Sequence, residues 1–228
     1  QVLPEASRGL THALMTHKSI ALVLATGGPG LVQAAYSSGT PTIGVGPGNV
    51  PVFIDKSADL PFAVDSILIS KTFDNGMICA SEQAVVVEKA IAAAAEREFE
   101  RKGGYFLKPD ELGKMQAVAV DRETGMMSPA VVGQPVEKLA QMAGISVPHG
   151  AKLLLARLDA VGRNIPLSGE VLAPILAYYE CPDFDSAIKR CIELNYLGGI
   201  GHTADRVRPR EDGVCVVRVS PGCPDDGQ

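Results

Sequence analysis

The hydrophobic positions of the chain form short, nearly uninterrupted runs that lie between stretches of helical spacing. Apolar runs of this length, bounded by turn residues, predict strands that are buried on both faces of a parallel sheet. A further strand begins at Pro41. The other runs predicted as strands are residues 19–25, 52–54, 83–87, 129–132, 153–155 and 173–179.

The stretches between the runs have apolar residues at helical spacing. In one of them Leu60, Val64, Ile67 and Leu68 would lie on a single helix face that packs on the core. The predicted helices are residues 31–38, 59–70, 89–101, 109–120, 136–142 and 184–194. Because strands alternate with helices, the fold class is α/β with a largely parallel sheet flanked by helices.

Composition excludes several classes of function. The chain has 228 residues, 46% of them hydrophobic, which is enough for one large domain or two small ones. The net charge is −5 and no basic run precedes the last 25 residues, so nucleic acid is not expected as a partner. No apolar run reaches the roughly 18 residues of a membrane span, and residues 1–8 lack the pattern of a signal peptide.

Cysteine and histidine usage argues against metal sites and disulfides. The five cysteines form no CxxC pair, and the four histidines show no metal-ligand spacing with them. An odd number of cysteines without a disulfide framework is typical of a reducing compartment. We therefore expect no metal and a cytoplasmic location.

The character of the chain changes at about Arg206. Residues 206–213 are charged, and residues 220–228 are rich in Gly, Pro and Asp, with a short apolar piece between them. This composition predicts an irregular or disordered tail over residues 206–228.

A candidate nucleophile, Cys79, lies between a predicted helix and a predicted strand. It follows Asp74, Asn75 and Gly76, a combination that favours a turn because Asn and Gly tolerate positive φ. Loops on a rigid scaffold are a usual place for catalytic residues. The alternative is a buried, inert cysteine, since free cysteines are among the most buried residues.

A glycine-rich turn over residues 26–30 connects the first predicted strand to a helix. Strand, glycine turn and helix together expose backbone N–H groups to a phosphate or a ring. An ordinary strand-to-helix loop explains the same pattern, so the turn alone does not decide the function.

The sequence around Cys79 resembles a known family. Residues 70–76 and 78–83, SKTFDNG and ICASEQ, are similar to the nucleophile loop of CoA-acylating aldehyde dehydrogenases, and the similarity extends from about residue 19 to residue 203. The resemblance implies an aldehyde dehydrogenase catalytic domain over residues 41–205. It also implies that residues 1–40 are the remnant of a Rossmann-like cofactor domain.

The resemblance also implies roles for particular residues. Cys79 would be the nucleophile, and Thr26, Gly27, Gly28 and Val45 would contact the cofactor. In these enzymes a glutamate in a Glu-x-x-x-Pro segment holds the ribose of the nicotinamide half.

Two further positions lie in segments that are similar to motifs of this family. Glu170, followed by Pro174, corresponds to that glutamate. His202, in the string GGIGHT, would be an acid/base partner or a CoA contact, although a structural histidine is an equally good interpretation.

The acyl acceptor is inferred from a missing residue. Hydrolytic aldehyde dehydrogenases carry a glutamate, the general base for water, about where Gly44 lies 35 residues before Cys79. Glycine accepts no proton, so a thiol such as coenzyme A becomes the expected acceptor. The alternative is that Gly44 only meets a backbone requirement.

We therefore expect an enzyme that oxidises a small aldehyde to an acyl-CoA, with NAD as the cofactor and NADP not excluded. The resemblance implies a homo-oligomer for the parent enzyme, whereas this partial chain alone is expected to be inactive. Two alternatives remain: a truncated, inactive fragment of such an enzyme, and a hydrolytic aldehyde dehydrogenase that yields the free acid.

Overall fold

A computed structural model describes residues 2–5, 7–121 and 127–199, together with the backbone of residues 204–210 and 213–219. Its internal contacts divide the chain into two compact units, residues 1–47 and residues 48–228. The division falls a few residues later than the boundary expected at residue 40. The assignment of the two units to a cofactor domain and a catalytic domain stays a prediction.

The smaller unit is one βαβ arrangement preceded by a helix. Its core is formed by Met15, Ala25 and Ala35. The two strands are parallel and pair with each other. The elements are α1 (Arg8–Met15), β1 (Val23–Thr26), α2 (Pro29–Tyr36) and β2 (Thr42–Val45).

The larger unit contains most of the predicted strands and helices. Its helices are α3 (Leu60–Thr72), α4 (Lys89–Arg101), α5 (Pro109–Ala119), α6 (Val136–Ala143) and α7 (Phe184–Gly198). Its strands are β3 (Pro51–Ile54), β4 (Ala84–Glu88), β5 (Gly104–Phe106), β6 (Leu153–Arg157), β7 (Ile175–Cys181), β8 (Ala204–Arg210) and β9 (Gly213–Val219).

Seven strands of the described residues form one sheet, in the order β5-β6-β7-β4-β3-β8-β9. Every neighbouring pair is parallel except β8 and β9. Alternate side chains pack on opposite faces: Val86 and Tyr179 join one apolar cluster, whereas Val85 and Tyr178 join the other. Residues of α5, α6 and α7 cover the first face and residues of α3 and α4 the second. The predicted α/β class with a largely parallel, helix-flanked sheet is confirmed.

Three predictions differ from the structure. Residues 129–132 were expected to be a strand, but Pro129–Val131 is a 3₁₀ turn. Pro129 has no N–H to donate, and the Ser128 hydroxyl accepts a hydrogen bond from the N–H of Ala130, which stabilises the turn. Strand β5 was missed because it has only three residues and begins at a glycine.

The third difference concerns residues 206–228, expected to be an irregular or disordered tail. Residues 206–210 and 213–219 instead belong to β8 and β9, which pair antiparallel at one edge of the sheet. Residues 211–212 and 220–228 lie outside the described residues, and the prediction for them stays a prediction. The charged composition hid an alternating pattern in which arginines flank Val207. Pro209, which has no N–H for a ladder, lies beyond the residues of β8 that pair with β3.

Among the helices that the structure describes, none is long and apolar enough to cross a membrane.

Candidate active site

Three irregular segments of the larger unit meet at one edge of its sheet. Strands β3, β4 and β7 are neighbours and parallel, so the segments that precede them lie at the same, amino-terminal edge. These segments are residues 48–50, 73–83 and 170–174. The second contains Cys79 and the third begins at Glu170, so the fold brings these two predicted site segments together.

The loop that carries Cys79 has an unusual backbone. It begins with a 3₁₀ turn, Phe73–Gly76, in which Asp74, Asn75 and Gly76 have φ values of 48°, 50° and 74°. Three successive left-handed residues fit the Asp-Asn-Gly sequence, because these residue types tolerate that region best. Cys79 itself is exposed, whereas Cys181 and Cys191 are buried in the core. Cys79 is therefore not the buried, inert cysteine of the alternative interpretation.

Two contacts dock this loop on its neighbours. A Cβ atom at position 76 would lie 2.6 Å from the carbonyl oxygen of Ala173, so only glycine fits there. The Asn75 side-chain amide donates a hydrogen bond to the carbonyl of Gly133 at 3.0 Å. The N–H of Gly133 in turn donates to the carbonyl of Leu172 at 2.9 Å. The cysteine loop and residues 172–173 are thus held against each other.

A buried lysine at the start of the same loop was missed by the sequence analysis. Lys71 is fully buried, and its Nζ donates to Oε1 of Gln83 at 2.9 Å and to the carbonyl of Val171 at 3.0 Å. Its position could have been recognised, because Lys71 follows Ile67 and Leu68 on the apolar face of α3 at helical spacing.

The electrostatics of the edge centre on Lys71 and Glu170. Burial lowers the pKa of Lys71 to about 7, although the nearby carboxylates of Glu82 and Glu170 act in the opposite direction. Burial raises the pKa of Glu170, while the N–H of Gly48, 3.4 Å from Oε1, and the charge of Lys71 counteract that rise. A half-buried carboxylate that lies beside a cation and a backbone donor is suited to accept hydrogen bonds from hydroxyl groups.

The segment before β3 is fixed by a buried asparagine. The Asn49 side-chain amide donates to the carbonyls of Ser168 at 2.8 Å and Leu194 at 3.1 Å. A Cβ at Gly198 would lie 2.4 Å from Cβ of Asn49, so α7 ends in close contact with this segment. The segments at residues 48–49, 168–171 and 194–198 are therefore interlocked.

His202 lies outside the described residues, and its predicted role stays a prediction. The described chain ends at Gly199 before that position and resumes with β8, which pairs with β3.

The smaller unit brings its own four predicted residues together. Thr26 and Val45 are register partners at the carboxyl ends of β1 and β2, and the N–H of Gly27 donates to the carbonyl of Val45 at 3.3 Å. Gly28 is the N-cap residue of α2 and makes no side-chain cap. The turn is exposed. Ligands of α/β folds bind at the carboxyl ends of strands, so this arrangement fits a dinucleotide contact.

Gly44 has a packing reason of its own. A Cβ at this position would lie 2.7 Å from Cγ1 of Val32 and 2.8 Å from Cε2 of Tyr36. The Gly44 N–H also donates to the Tyr36 hydroxyl at 3.0 Å. Gly44 lies within β2 and has no positive φ, so it is not the backbone turn of the alternative interpretation; what favours glycine here is the space taken by two side chains. Position 44 has no proton acceptor in either case.

Comparison with known proteins gives concordant matches. The model of the aldehyde dehydrogenase family matches residues 1–178. The chain is 48% identical to the bifunctional aldehyde-alcohol dehydrogenase of Escherichia coli (strain K12) over 202 residues, which are 89% of this chain and 22% of that protein. It is 46% identical to the aldehyde-alcohol dehydrogenase of Clostridium acetobutylicum over 92% of this chain and 24% of that protein.

Solved structures of similar fold include acylating enzymes. An acetylating aldehyde dehydrogenase from Geobacillus thermoglucosidasius matches with a TM-score of 0.86 and 43% identity, over 91% of this chain and 46% of that one. A Rhodopseudomonas palustris propionaldehyde dehydrogenase with bound propionyl-CoA matches with a TM-score of 0.79 and 31% identity, over 88% and 43%. An engineered glycolyl-CoA reductase with bound NADP+ matches with a TM-score of 0.80 and 31% identity, over 90% and 46%.

The chain spans less than a quarter of the length of these two aldehyde-alcohol dehydrogenases and less than half of the length of these structures.

Proposed function

The chain belongs to the aldehyde dehydrogenase family, and we propose that the whole protein oxidises an aldehyde to a CoA thioester with Cys79 as its nucleophile. The observation that carries the proposal is the cysteine loop. Its single thiol is exposed, its backbone is fixed by three left-handed residues, and it is docked beside the segment of Glu170. The acetylating aldehyde dehydrogenase and the propionaldehyde dehydrogenase with bound propionyl-CoA among the similar structures support the same reaction.

A nicotinamide dinucleotide fits the residues that are present. The exposed turn at Thr26, Gly27 and Gly28, with Val45 beside it, would contact the cofactor, and the carboxylate of Glu170 would accept hydrogen bonds from its ribose hydroxyls. When bound, the dinucleotide supplies the acceptor for the hydride that leaves the aldehyde carbon. Either NAD or NADP is compatible, since a similar structure carries NADP+.

Cys79 performs the bond-forming step. Its thiolate adds to the aldehyde carbonyl carbon, and a backbone N–H near the loop stabilises the negative charge that develops on oxygen. Loss of the hydride converts this adduct into a thioester on Cys79. The thiol of coenzyme A, having released its proton to solvent, then attacks the thioester carbon, the C–S bond to Cys79 breaks, and acyl-CoA leaves with the thiolate of Cys79 restored.

A thiol is the favoured acceptor because the chain places no base for water at position 44. General-base assistance is worth about 10²- to 10⁴-fold in rate. Gly44 and the neighbouring Val45 and Pro47 accept no proton. A thiolate is a far stronger nucleophile and needs less assistance, in keeping with the propionyl-CoA in the Rhodopseudomonas structure.

The test is the first turnover of the whole protein without coenzyme A. We expect a burst of reduced cofactor equal to one equivalent of enzyme, then a slow phase, with an acyl group on the tryptic peptide of Cys79. Cys79→Ala should abolish the burst and lower turnover by several orders of magnitude. Cys181→Ala, which removes a buried cysteine instead, should preserve the burst.

Two outcomes would contradict the proposal. Sustained fast turnover to the free acid without coenzyme A would identify water as the acceptor and a hydrolytic enzyme. A burst that survives in Cys79→Ala would assign the nucleophile to another residue.

A further inference from the structure

A fully buried lysine joins the two ends of the cysteine loop. Lys71 lies in the last turn of α3, and Gln83 is the residue before β4. Both are buried, and the ammonium of Lys71 donates to Oε1 of Gln83 at 2.9 Å. The bond closes the loop between them, which contains Cys79.

The same two side chains also hold the segment of Glu170. Oε1 of Gln83 accepts a second hydrogen bond, from the N–H of Val171 at 3.0 Å, while Lys71 donates to the Val171 carbonyl at 3.0 Å. Both backbone groups of Val171 are therefore bound by the ends of the cysteine loop. Val171 follows Glu170 directly, so fixing the backbone of Val171 also fixes the backbone from which the Glu170 side chain extends.

Burial of a lysine at this place is not explained by packing. Lys71 lies on the apolar face of α3 with Ile67 and Leu68, where a methionine would fill similar space. Burying a cation costs free energy unless specific partners compensate, and apolar replacements of buried charges are often neutral or stabilising. A role beyond packing accounts for the lysine better than stability does.

We propose that Lys71 is a positioning residue that, together with Gln83, fixes the Cys79 loop to the segment of Glu170 and so holds the nucleophile and that carboxylate in one arrangement. The inference rests on the proposed function, because it assumes that Cys79 and Glu170 serve one reaction. It adds a residue that acts through both and contacts neither the aldehyde nor coenzyme A.

Because Lys71 and Glu170 influence each other's charge, the proposal can be tested through the pH dependence of activity. Among the described residues, the carboxylates of Glu82 and Glu170 act on Lys71, and the charge of Lys71 acts on Glu170 together with the Gly48 N–H. Burial already raises the pKa of Glu170, and Lys71 opposes that rise. Removing the ammonium should therefore raise the pKa of Glu170 further. As the pH is lowered, Glu170 should then take up its proton, and cofactor binding should fail, at a higher pH than in the wild type.

The kinetic experiment compares Lys71→Met with Lys89→Met, a control at an exposed lysine at the start of α4. Both are measured in the whole protein across a range of pH. We expect Lys71→Met to lower kcat/KM for the dinucleotide by about 10- to 100-fold, the scale of a small misplacement of catalytic groups. The acid limb of its profile should move to higher pH, whereas Lys89→Met should match the wild type. A purely structural lysine would lower activity without moving that limb.

A second measurement needs no catalysis. In wild-type protein the Val171 amide should exchange with deuterium as slowly as the amides of β4, because Gln83 accepts from it in the interior. Gln83→Glu preserves the acceptor and should retain this protection, whereas Gln83→Leu should lose it and should speed alkylation of Cys79 by iodoacetamide. The tryptic peptide of residues 72–89 contains only this cysteine.

The two sets of data separate the possible failures. If the wild type oxidises no aldehyde but Val171 is protected as described, the proposed function fails and the link between the two segments stands. Wild-type kinetics with an unmoved acid limb in Lys71→Met would overturn the positioning role. Rapid exchange of the Val171 amide in the wild type would overturn it even if Lys71→Met does not fold.

Discussion

The two units of the chain present their candidate residues in opposite ways. In the smaller unit the strands are largely uncovered: Leu24 of β1 is 71% exposed and its register partner Ile43 of β2 is 57% exposed. In the larger unit every residue of β3 and β4 is buried, apolar clusters pack on both faces of the sheet, and the segment of Cys79 is bound from several sides.

The difference indicates what each unit could contribute to the proposed reaction. The smaller unit offers mainly exposed backbone at a glycine turn, and a two-stranded sheet has little stability of its own. The larger unit has a core from which rigid loops emerge, so it can hold a nucleophile in a fixed geometry. Each unit has a glycine whose added Cβ would meet neighbouring atoms, at position 44 in the first and at position 76 in the second, and the pair allows a direct comparison.

The largest effect is expected from Gly76→Ala. Position 76 has a φ of 74°, and its new Cβ would meet the Ala173 carbonyl oxygen at 2.6 Å. Backbone strain of this kind costs about 1–3 kcal/mol, and the contact with a carbonyl adds to it. We expect a clear drop in the free energy of unfolding and a loss of activity of about 100-fold or more, since the cysteine loop must shift.

Gly113→Ala is the matched control for that variant. Gly113 lies inside α5 without a positive φ, and a Cβ there meets no atom within 4 Å. Alanine should stabilise the helix by about 0.5–1 kcal/mol and leave activity unchanged. Urea unfolding and the aldehyde assay check both variants. Equal stability of Gly76→Ala and Gly113→Ala would mean that the left-handed turn does not hold the loop.

Much of the fold and of the candidate site could be predicted from sequence, and there are physical reasons why the remaining elements and contacts could not. Periodicity identified most elements of both units, and Asp74-Asn75-Gly76 indicated the turn, because these signals are local. The hydrogen bonds that join Lys71 and Gln83 to Val171 were missed, since Val171 lies 100 and 88 positions from its two partners and the contact depends on strand order. The strands at residues 204–219 were missed because their pattern was masked by charge.

An intermediate effect is expected from the pH dependence of stability that Lys71 contributes. Its pKa in the folded chain is about 7, below the ordinary value of 10.5, so between these values the unfolded chain binds a proton that the folded chain does not. Stability therefore rises with pH through this window, by at most about 1.4 kcal/mol per pH unit.

Lys71→Met removes this contribution while the other titrating groups remain. The difference in free energy of unfolding, wild type minus Lys71→Met, should increase as pH rises from about 7 toward 10.5. Urea unfolding of both proteins at a series of pH values measures it. A difference that stays flat across the window would show that Lys71 keeps an ordinary pKa.

The smallest effect is expected from changes at Gly44 in the exposed unit. The atoms that a Cβ would meet there belong to side chains, Val32 and Tyr36, and Tyr36 is largely exposed, held to this position by the hydrogen bond from the Gly44 N–H. Gly44→Ala should therefore cost only about 1 kcal/mol, the typical value for a single substitution.

Gly44→Glu introduces the carboxylate that hydrolytic relatives use, yet its side chain must displace Tyr36 before it can activate water. We expect Gly44→Glu alone to raise turnover without coenzyme A by less than about 10-fold, well below the 10²- to 10⁴-fold of a placed general base. Gly44→Glu combined with Tyr36→Ala should raise it further, and Tyr36→Ala alone should not. If Gly44→Glu alone gives the full 10²- to 10⁴-fold increase, Tyr36 is no obstacle. The glycine then serves to exclude a base and not to make room for the side chains of α2.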